Sequence, residues 1–144
     1  MIRYILLLLF TLNFHQLSGG HDITITLKVH GTDDRMTEKI RSSLKTDLGN
    51  KSNIVIVSDT TDSSTFNITV QYSTLKSGDK LVGIFMSAIL SRRIRTSKDE
   101  TAYILLKSSV SSTSNPSDID KICANWIDQY EMQYFDKERK QTTR

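Results

Sequence analysis

The chain has 144 residues, with 19 Lys and Arg against 16 Asp and Glu and a formal net charge of +3. This small positive excess argues against nucleic acid binding, which uses strong and localised basic surfaces. The length fits one domain with one hydrophobic core, and a single cysteine excludes an internal disulfide.

The first twenty residues have the pattern of a secretory signal peptide. Arg3 supplies a positive charge, and an almost unbroken apolar run covers residues 4–14. The small residues at 18–20 match the cleavage site of a signal peptidase. Polar residues interrupt the run before it reaches the roughly 20 apolar residues of a spanning helix, so a permanent anchor is the weaker interpretation. We predict a signal peptide over residues 1–20, a mature chain that starts at His21, and a secreted or periplasmic location.

The mature chain begins with a strand, a helix and a second strand. Apolar and polar residues alternate over residues 23–29, which is typical of a strand with one buried face. A helix is predicted over residues 35–48, because an apolar residue recurs there every four positions. Side-chain oxygens at residues 32–34 can cap its N-terminus, and Gly49 can end it. A short β-branched run at 54–57 predicts a strand buried on both faces.

The middle of the chain predicts three further strands. Alternation over residues 65–72 and an apolar segment at 81–90 flank a turn at 77–79, so these two segments form an antiparallel hairpin. Because the second arm is apolar on both faces, it should lie centrally in the sheet. Residues 102–106 predict one more antiparallel strand, and the Ser-rich residues 108–117 a loop.

The C-terminal third predicts a long helix with Ser117 as its N-cap, after Pro116. Apolar residues spaced by three and four form one stripe along it: Ile119, Ile122, Cys123, Trp126, Ile127, Tyr130 and Tyr134. Trp126 lies in the middle of this stripe, so we expect it to be buried against the sheet. Cys123 could be buried, pair between chains or be reactive, and its position on the stripe favours burial.

The order of elements is therefore β-α-β-β-β-β-α. This order predicts an α+β fold, a two-layer sandwich in which a mostly antiparallel sheet of about five strands carries two helices on one face. We place a single domain at residues 21–138 and a polar C-terminal tail at 139–144.

No local motif points to catalysis, a cofactor or a metal. The sequence lacks a nucleophile elbow, a Gly-rich phosphate loop, a His-Glu-x-x-His helix and a Cys-x-x-Cys pair. The mature chain offers only His21 and His30 as histidine bases. An extended strand would hold these two histidines about 30 Å apart, too far to share a metal ion.

The only dense basic run lies between the predicted fourth and fifth strands and contains Arg92, Arg93, Arg95 and Lys98. These residues are the candidate binding residues. They could attract an anionic surface such as lipid headgroups or glycan, in a manner that salt would weaken. The alternative is an ordinary solvated connection.

The order of elements resembles that of small envelope accessory domains of the anticodon-binding-like type, such as the N-terminal domain of TolB and the CsgG-like and LpoB-like proteins. The resemblance covers residues 21–138 and rests on the signal peptide, the strand 23–29, the helix with Ile40, Leu44 and Leu48, the strand 54–57, the hairpin and the final helix. It implies a non-enzymatic scaffold or regulator that binds other envelope proteins. The chain departs from the lipoprotein members because it has no cysteine to carry the lipid.

Taken together, these patterns predict an exported, non-catalytic binding or assembly domain that acts on an envelope or extracellular protein or a surface component. The alternative is a small secreted enzyme or inhibitor whose site no local motif reveals. A deep pocket with titratable groups would favour the enzyme, whereas a flat surface with an exposed sheet edge would favour the binding domain.

Overall fold

The structure is a computed structural model that describes residues 22–58, 64–96, 98 and 100–142. The predicted signal peptide and His21 lie outside the described residues. Five strands form a single sheet: β1 (Ile23–His30), β2 (Ile54–Val57), β3 (Phe66–Ser77), β4 (Lys80–Arg95) and β5 (Thr101–Thr113).

The strands follow the order β2-β1-β3-β4-β5 across the sheet. β1 is parallel to both of its neighbours, β2 and β3, whereas β3, β4 and β5 form an antiparallel meander. The predicted α+β class and five strands are confirmed, in a sheet that is mixed because the two N-terminal strands run parallel to β3. Gly78 adopts a left-handed conformation (φ 61°) in the turn between β3 and β4, where glycine meets no steric penalty.

Three helices accompany the sheet: α1 (Asp34–Gly49), α2 (Ile119–Tyr130) and α3 (Asp136–Thr142). The Asp33 carboxylate caps α1 by accepting a 2.9 Å hydrogen bond from the Met36 N–H. The predicted cap at Ser117 is wrong. A 3₁₀ turn precedes α2, and the Asn115 side chain caps that turn by accepting a hydrogen bond from the Ser117 N–H.

The core lies between one face of the sheet and the helices. It contains these buried residues of the helices: Ile40, Leu44, Leu48, Ile119, Cys123, Trp126, Ile127 and Tyr130. They pack against the buried residues of the strands: Ile23, Ile25, Val29, Phe66, Ile68, Val70, Tyr72, Ile84, Met86, Ala88 and Leu90. The predicted burial of Trp126 and Cys123 is confirmed, since their side chains are 2% and 0% exposed.

A π-helical turn, Glu131–Phe135, joins α2 to α3 and fits both against the sheet. It places the Phe135 ring 5.2 Å from that of Phe66. β5 has one extra residue, Leu106, where its pairing with β4 shifts, and the Leu106 carbonyl accepts a 2.8 Å hydrogen bond from the Tyr134 hydroxyl. The turn thus satisfies a carbonyl at the bulge of β5.

The C-terminal helix is tied to the rest of the domain through Arg139, in the segment that the sequence analysis assigns to a polar tail. Its guanidinium donates to both carboxylate oxygens of Glu131, at 2.7 and 3.1 Å, and to Asp136 at 2.8 Å. It also donates to the Ser52 carbonyl before β2, at 2.8 Å. Such a bidentate pair fixes geometry as well as charge.

Three sequence predictions about the strands are wrong. β2 is an edge strand and Val55 is 41% exposed, so only one face of β2 is buried. β4 extends to Arg95, which places Arg92, Arg93 and Arg95 in a strand and not in a connection. β5 extends to Thr113, so most of the predicted Ser-rich loop is strand, because pairing with β4 outweighs the weak strand preference of serine.

Candidate binding surface

The face of the sheet that points away from the helices forms a surface, which we call the open face. None of the described helices packs on it, although several of its residues are apolar and exposed. These are Val55 on β2, Leu75 on β3, Phe85 and Ile89 on β4, and Tyr103, Leu105 and Val110 on β5. Val110 is the most exposed of them, at 76%.

The strand register arranges the apolar residues of β4 and β5 in a zigzag. Val110 lies opposite Ser87, between the positions of Phe85 and Ile89, and Leu105 continues the row beside Ser91. Diagonal neighbours on a sheet are about 7–8 Å apart, so large side chains in this row reach one another. A shallow depression of about 300 Å³ lies beside Phe85 and Val110 and extends to β3.

The charges on the open face are positive. Lys28 of β1 and Arg93 and Arg95 of β4 occupy open-face positions. The described strand positions of this face contain no Asp or Glu. The surface therefore combines apolar area with positive charge, with Lys28 in the middle of the sheet and Arg93 and Arg95 near the end of β4.

The structure divides the predicted basic run between two sides of the sheet. The side chain of Arg92 lies on the helix side, where its guanidinium donates to a Glu138 carboxylate oxygen at 2.7 Å. Arg93 lies on the open face, where it donates to the Thr101 hydroxyl at 3.0 Å. Arg95 follows on the same face, and Lys98 is exposed in the turn between β4 and β5. Arg93, Arg95 and Lys98 thus border the open face, and Arg92 has a structural contact.

A second depression, between α1 and α2, is the strongest place to look for catalysis. It is lined by Lys39, Ser42, Ser43, Thr46, Asp47 and Asp120, with a volume of about 380 Å³. Burial, and then the charges of Asp128 and Asp120, raise the pKa of the Asp47 carboxyl. The residues that line it include serines but no histidine, and the structure shows no hydrogen bond between Lys39 or Asp47 and either lining serine among the described contacts.

Metal binding and membrane crossing find no structural support in the part of the chain that the structure describes. No three His, Cys, Asp or Glu side chains come together there in a group that could hold a metal ion. The described helices are all too short or too polar to cross a bilayer.

We expect the Cys123 thiol to be unreactive in the folded protein. Burial raises its pKa to about 12, against a smaller opposing effect of a hydrogen bond with Ser43, so little thiolate exists at neutral pH. A chromogenic disulfide reagent at pH 8 should label the thiol only after denaturant is added. Rapid labelling of the native protein would contradict this expectation and reopen a reactive role for Cys123.

No protein-family model matches the sequence, and no curated protein matches it. Several solved structures are similar in part, and the following three are examples. The hypothetical protein CT253 from Chlamydia trachomatis has a TM-score of 0.41 and 9% identity, over 63% of this chain and 71% of that one. A PelC dodecamer from Paraburkholderia phytofirmans has a TM-score of 0.44 and 7% identity, over 78% and 86%. The rare lipoprotein B from Shewanella oneidensis has a TM-score of 0.28 and 11% identity, over 83% and 99%.

Similarities this low do not indicate a function for the chain. One of the three proteins is by name a lipoprotein. The residues of the open face are therefore the basis for assigning a function.

Sequence reasoning missed the open face, although a signal for it was present. The apolar residues on both faces of β4 predict a central position in the sheet, and β4 does lie between β3 and β5. Both predicted helices lie on one face of that sheet, so the apolar side chains of Phe85 and Ile89 on the other face have no predicted helix to cover them. Val110 was missed because its serine neighbours are typical of a loop.

Proposed function

We propose that this chain is an exported, non-catalytic binding domain whose open face docks an envelope or extracellular protein. The observation that carries the proposal is the combination of exposed Phe85, Ile89 and Leu105 with Arg93 and Arg95 on a face that has no acidic strand residue among those described. The partner would present apolar side chains beside Asp or Glu.

The apolar residues favour a protein over a glycan or a lipid headgroup. Exposed apolar patches on soluble domains mark interaction surfaces, and aromatic residues and arginine are enriched at protein interfaces. Anionic headgroups or glycan would engage Arg93 and Arg95 but are mostly polar, so they would bury less of Phe85 and Leu105 than a protein with apolar side chains would. Complementary charge sets the orientation and the association rate, while apolar burial supplies affinity.

The proposal includes export of the chain, which determines the class of protein that the open face can meet. The signal peptide pattern at residues 1–20 would send the domain out of the cytoplasm, so its partners would be proteins of the envelope or the exterior.

We expect the Arg93→Ser/Arg95→Ser variant to bind its protein partner on the order of tenfold more weakly, with little change in stability, because exposed charges contribute little to folding. A photo-cross-linking amino acid at Phe85, introduced in the native host, identifies the partner for a binding assay with both purified proteins. Arg92 is left intact, since its contact with Glu138 would confound the result.

The matched control carries the cross-linker at Met132, which is also exposed but lies on the π-helical turn away from the open face. Adducts common to both positions, or purified partner binding that the arginine variant does not weaken, would overturn the proposal. Co-sedimentation with anionic vesicles or cell-wall material that needs Arg93 and Arg95, without a protein adduct at Phe85, would assign the surface to lipid or glycan.

A further inference from the structure

Among the described residues, no strand pairs with the outer edge of β5 over residues 107–113, which we call the β5 edge. Edge strands of soluble proteins are usually short or carry charges, prolines or bulges that block further pairing. β2, the opposite edge, has four residues, whereas β5 has 13. The bulge at Leu106 lies outside residues 107–113, and no charged residue or proline follows Lys107 within this segment.

We propose that the β5 edge pairs with the β5 edge of a second copy of this chain, in an antiparallel arrangement whose two-fold axis passes through Val110. In this register Val110 faces Val110 of the other copy, Ser108 faces Ser112, and Lys107 faces Thr113. The two sheets then join into one sheet of ten strands. This inference does not depend on the proposed function.

The open face supplies an apolar contact across the two-fold axis. Val110 is 76% exposed in one copy and lies beside the row of Phe85 and Ile89 on β4. Directly opposed residues of antiparallel strands have their Cβ atoms about 4.5–5.5 Å apart. Pairing therefore covers both valines and makes the apolar rows of the two copies continuous.

Charge complementarity selects a second copy as the occupant. Thr113 donates a 2.8 Å hydrogen bond to the Asp118 carboxylate, so Asp118 lies beside the end of β5. In the proposed register Lys107 of each copy reaches Asp118 of the other, which gives two ion pairs per dimer. Within one copy these groups lie roughly 20 Å apart along the strand, too far to pair.

The same charges disfavour the alternative ways of joining two copies. A parallel arrangement in register would place Lys107 beside Lys107 and Asp118 beside Asp118, and like charges opposite each other are destabilising. A shift by two residues would take Lys107 away from Thr113 and Asp118. The antiparallel register centred on Val110 is the one that pairs both charges.

Analytical ultracentrifugation of the purified mature chain, over a low to high micromolar concentration series, tests the dimer. We expect a reversible dimer that Val110→Lys weakens at least about tenfold, because it opposes two lysines at the axis. The matched control is Leu75→Lys, which introduces the same charge at an exposed open-face position on β3 and should leave the dimer intact. Circular dichroism and urea unfolding show that each variant is folded.

Charge exchange tests the register. Lys107→Glu and Asp118→Lys should each weaken the dimer by on the order of tenfold, and the double variant should regain most of the affinity because both ion pairs re-form with reversed sign. A parent that stays monomeric throughout would overturn the proposal, as would a dimer insensitive to Val110→Lys. A double variant no better than the single variants would overturn the register. The cross-linking at Phe85 reports on the proposed function separately, so the two can fail independently.

Discussion

Replacing Trp126 with alanine should lower the free energy of unfolding by about 3–5 kcal/mol. Trp126 is 2% exposed and lies on α2 between Cys123 and Tyr130, both fully buried, so the truncation opens a cavity where the helix packs on the sheet. Domains of this size have a free energy of unfolding of roughly 5–15 kcal/mol, so the variant should lose a large fraction of the stability of the domain.

Urea unfolding followed by far-ultraviolet circular dichroism measures this effect, since the variant has no tryptophan left to report by fluorescence. Met132→Ala is the control, because Met132 is 65% exposed and its truncation should change stability by less than about 0.5 kcal/mol. A loss below about 1 kcal/mol for Trp126→Ala would contradict its place in the core.

Replacing Gly31 with alanine should destabilise the domain by about 1–3 kcal/mol or more, although it adds a single methyl group. A Cβ atom at Gly31 would lie 2.0 Å from the Tyr72 ring, well inside contact distance. The ring cannot simply move aside. Its hydroxyl accepts a 3.0 Å hydrogen bond from the Asp33 N–H, shares one of 2.9 Å with the Thr37 hydroxyl, and donates to the Asp33 carbonyl.

Gly49→Ala is the matched control, because nothing lies within 4 Å of a Cβ atom at Gly49, in the last turn of α1. That variant should be neutral or slightly stabilising. A double-mutant cycle identifies the cause of the effect at Gly31. If the clash is with the ring, Gly31→Ala should cost much less in a Tyr72→Ala background, whereas equal costs in both backgrounds would refute the mechanism.

The fold was predictable where an element depends only on the spacing of residues that are close together in the sequence. The four-residue spacing of Ile40, Leu44 and Leu48 gave α1 within a residue at each end, and Asp33 was among the predicted capping residues. Alternation in β1 and the turn around Gly78 gave the correct strands because both depend on neighbours in sequence.

The sheet order and the candidate surface depend on contacts between distant residues, which local patterns do not contain. The parallel pairing of β1 with β3 joins residues about forty positions apart, such as Ile25 and Phe66. The second half of β5 reads as a loop in isolation and is a strand because β4 lies beside it. The basic run is visible in the sequence. That Arg92 and Arg93 point to opposite sides of the sheet follows only once β4 is known to extend to Arg95.

The position of β1 also limits the order in which the sheet can form. β1 is the first strand in the sequence, yet it lies between β2 and β3 in the sheet. A chain that emerges N-terminus first would leave β1 without its β2 partner until Val57 had emerged, and without its complete β3 partner until Gln71, which pairs with His30, had emerged. The meander of β3, β4 and β5 pairs through short connections and can form quickly, whereas insertion of β1 must wait for a long loop to close. Residues 23–30 are therefore the segment that waits longest for its partners after it emerges, and the segment that we expect a chaperone to bind.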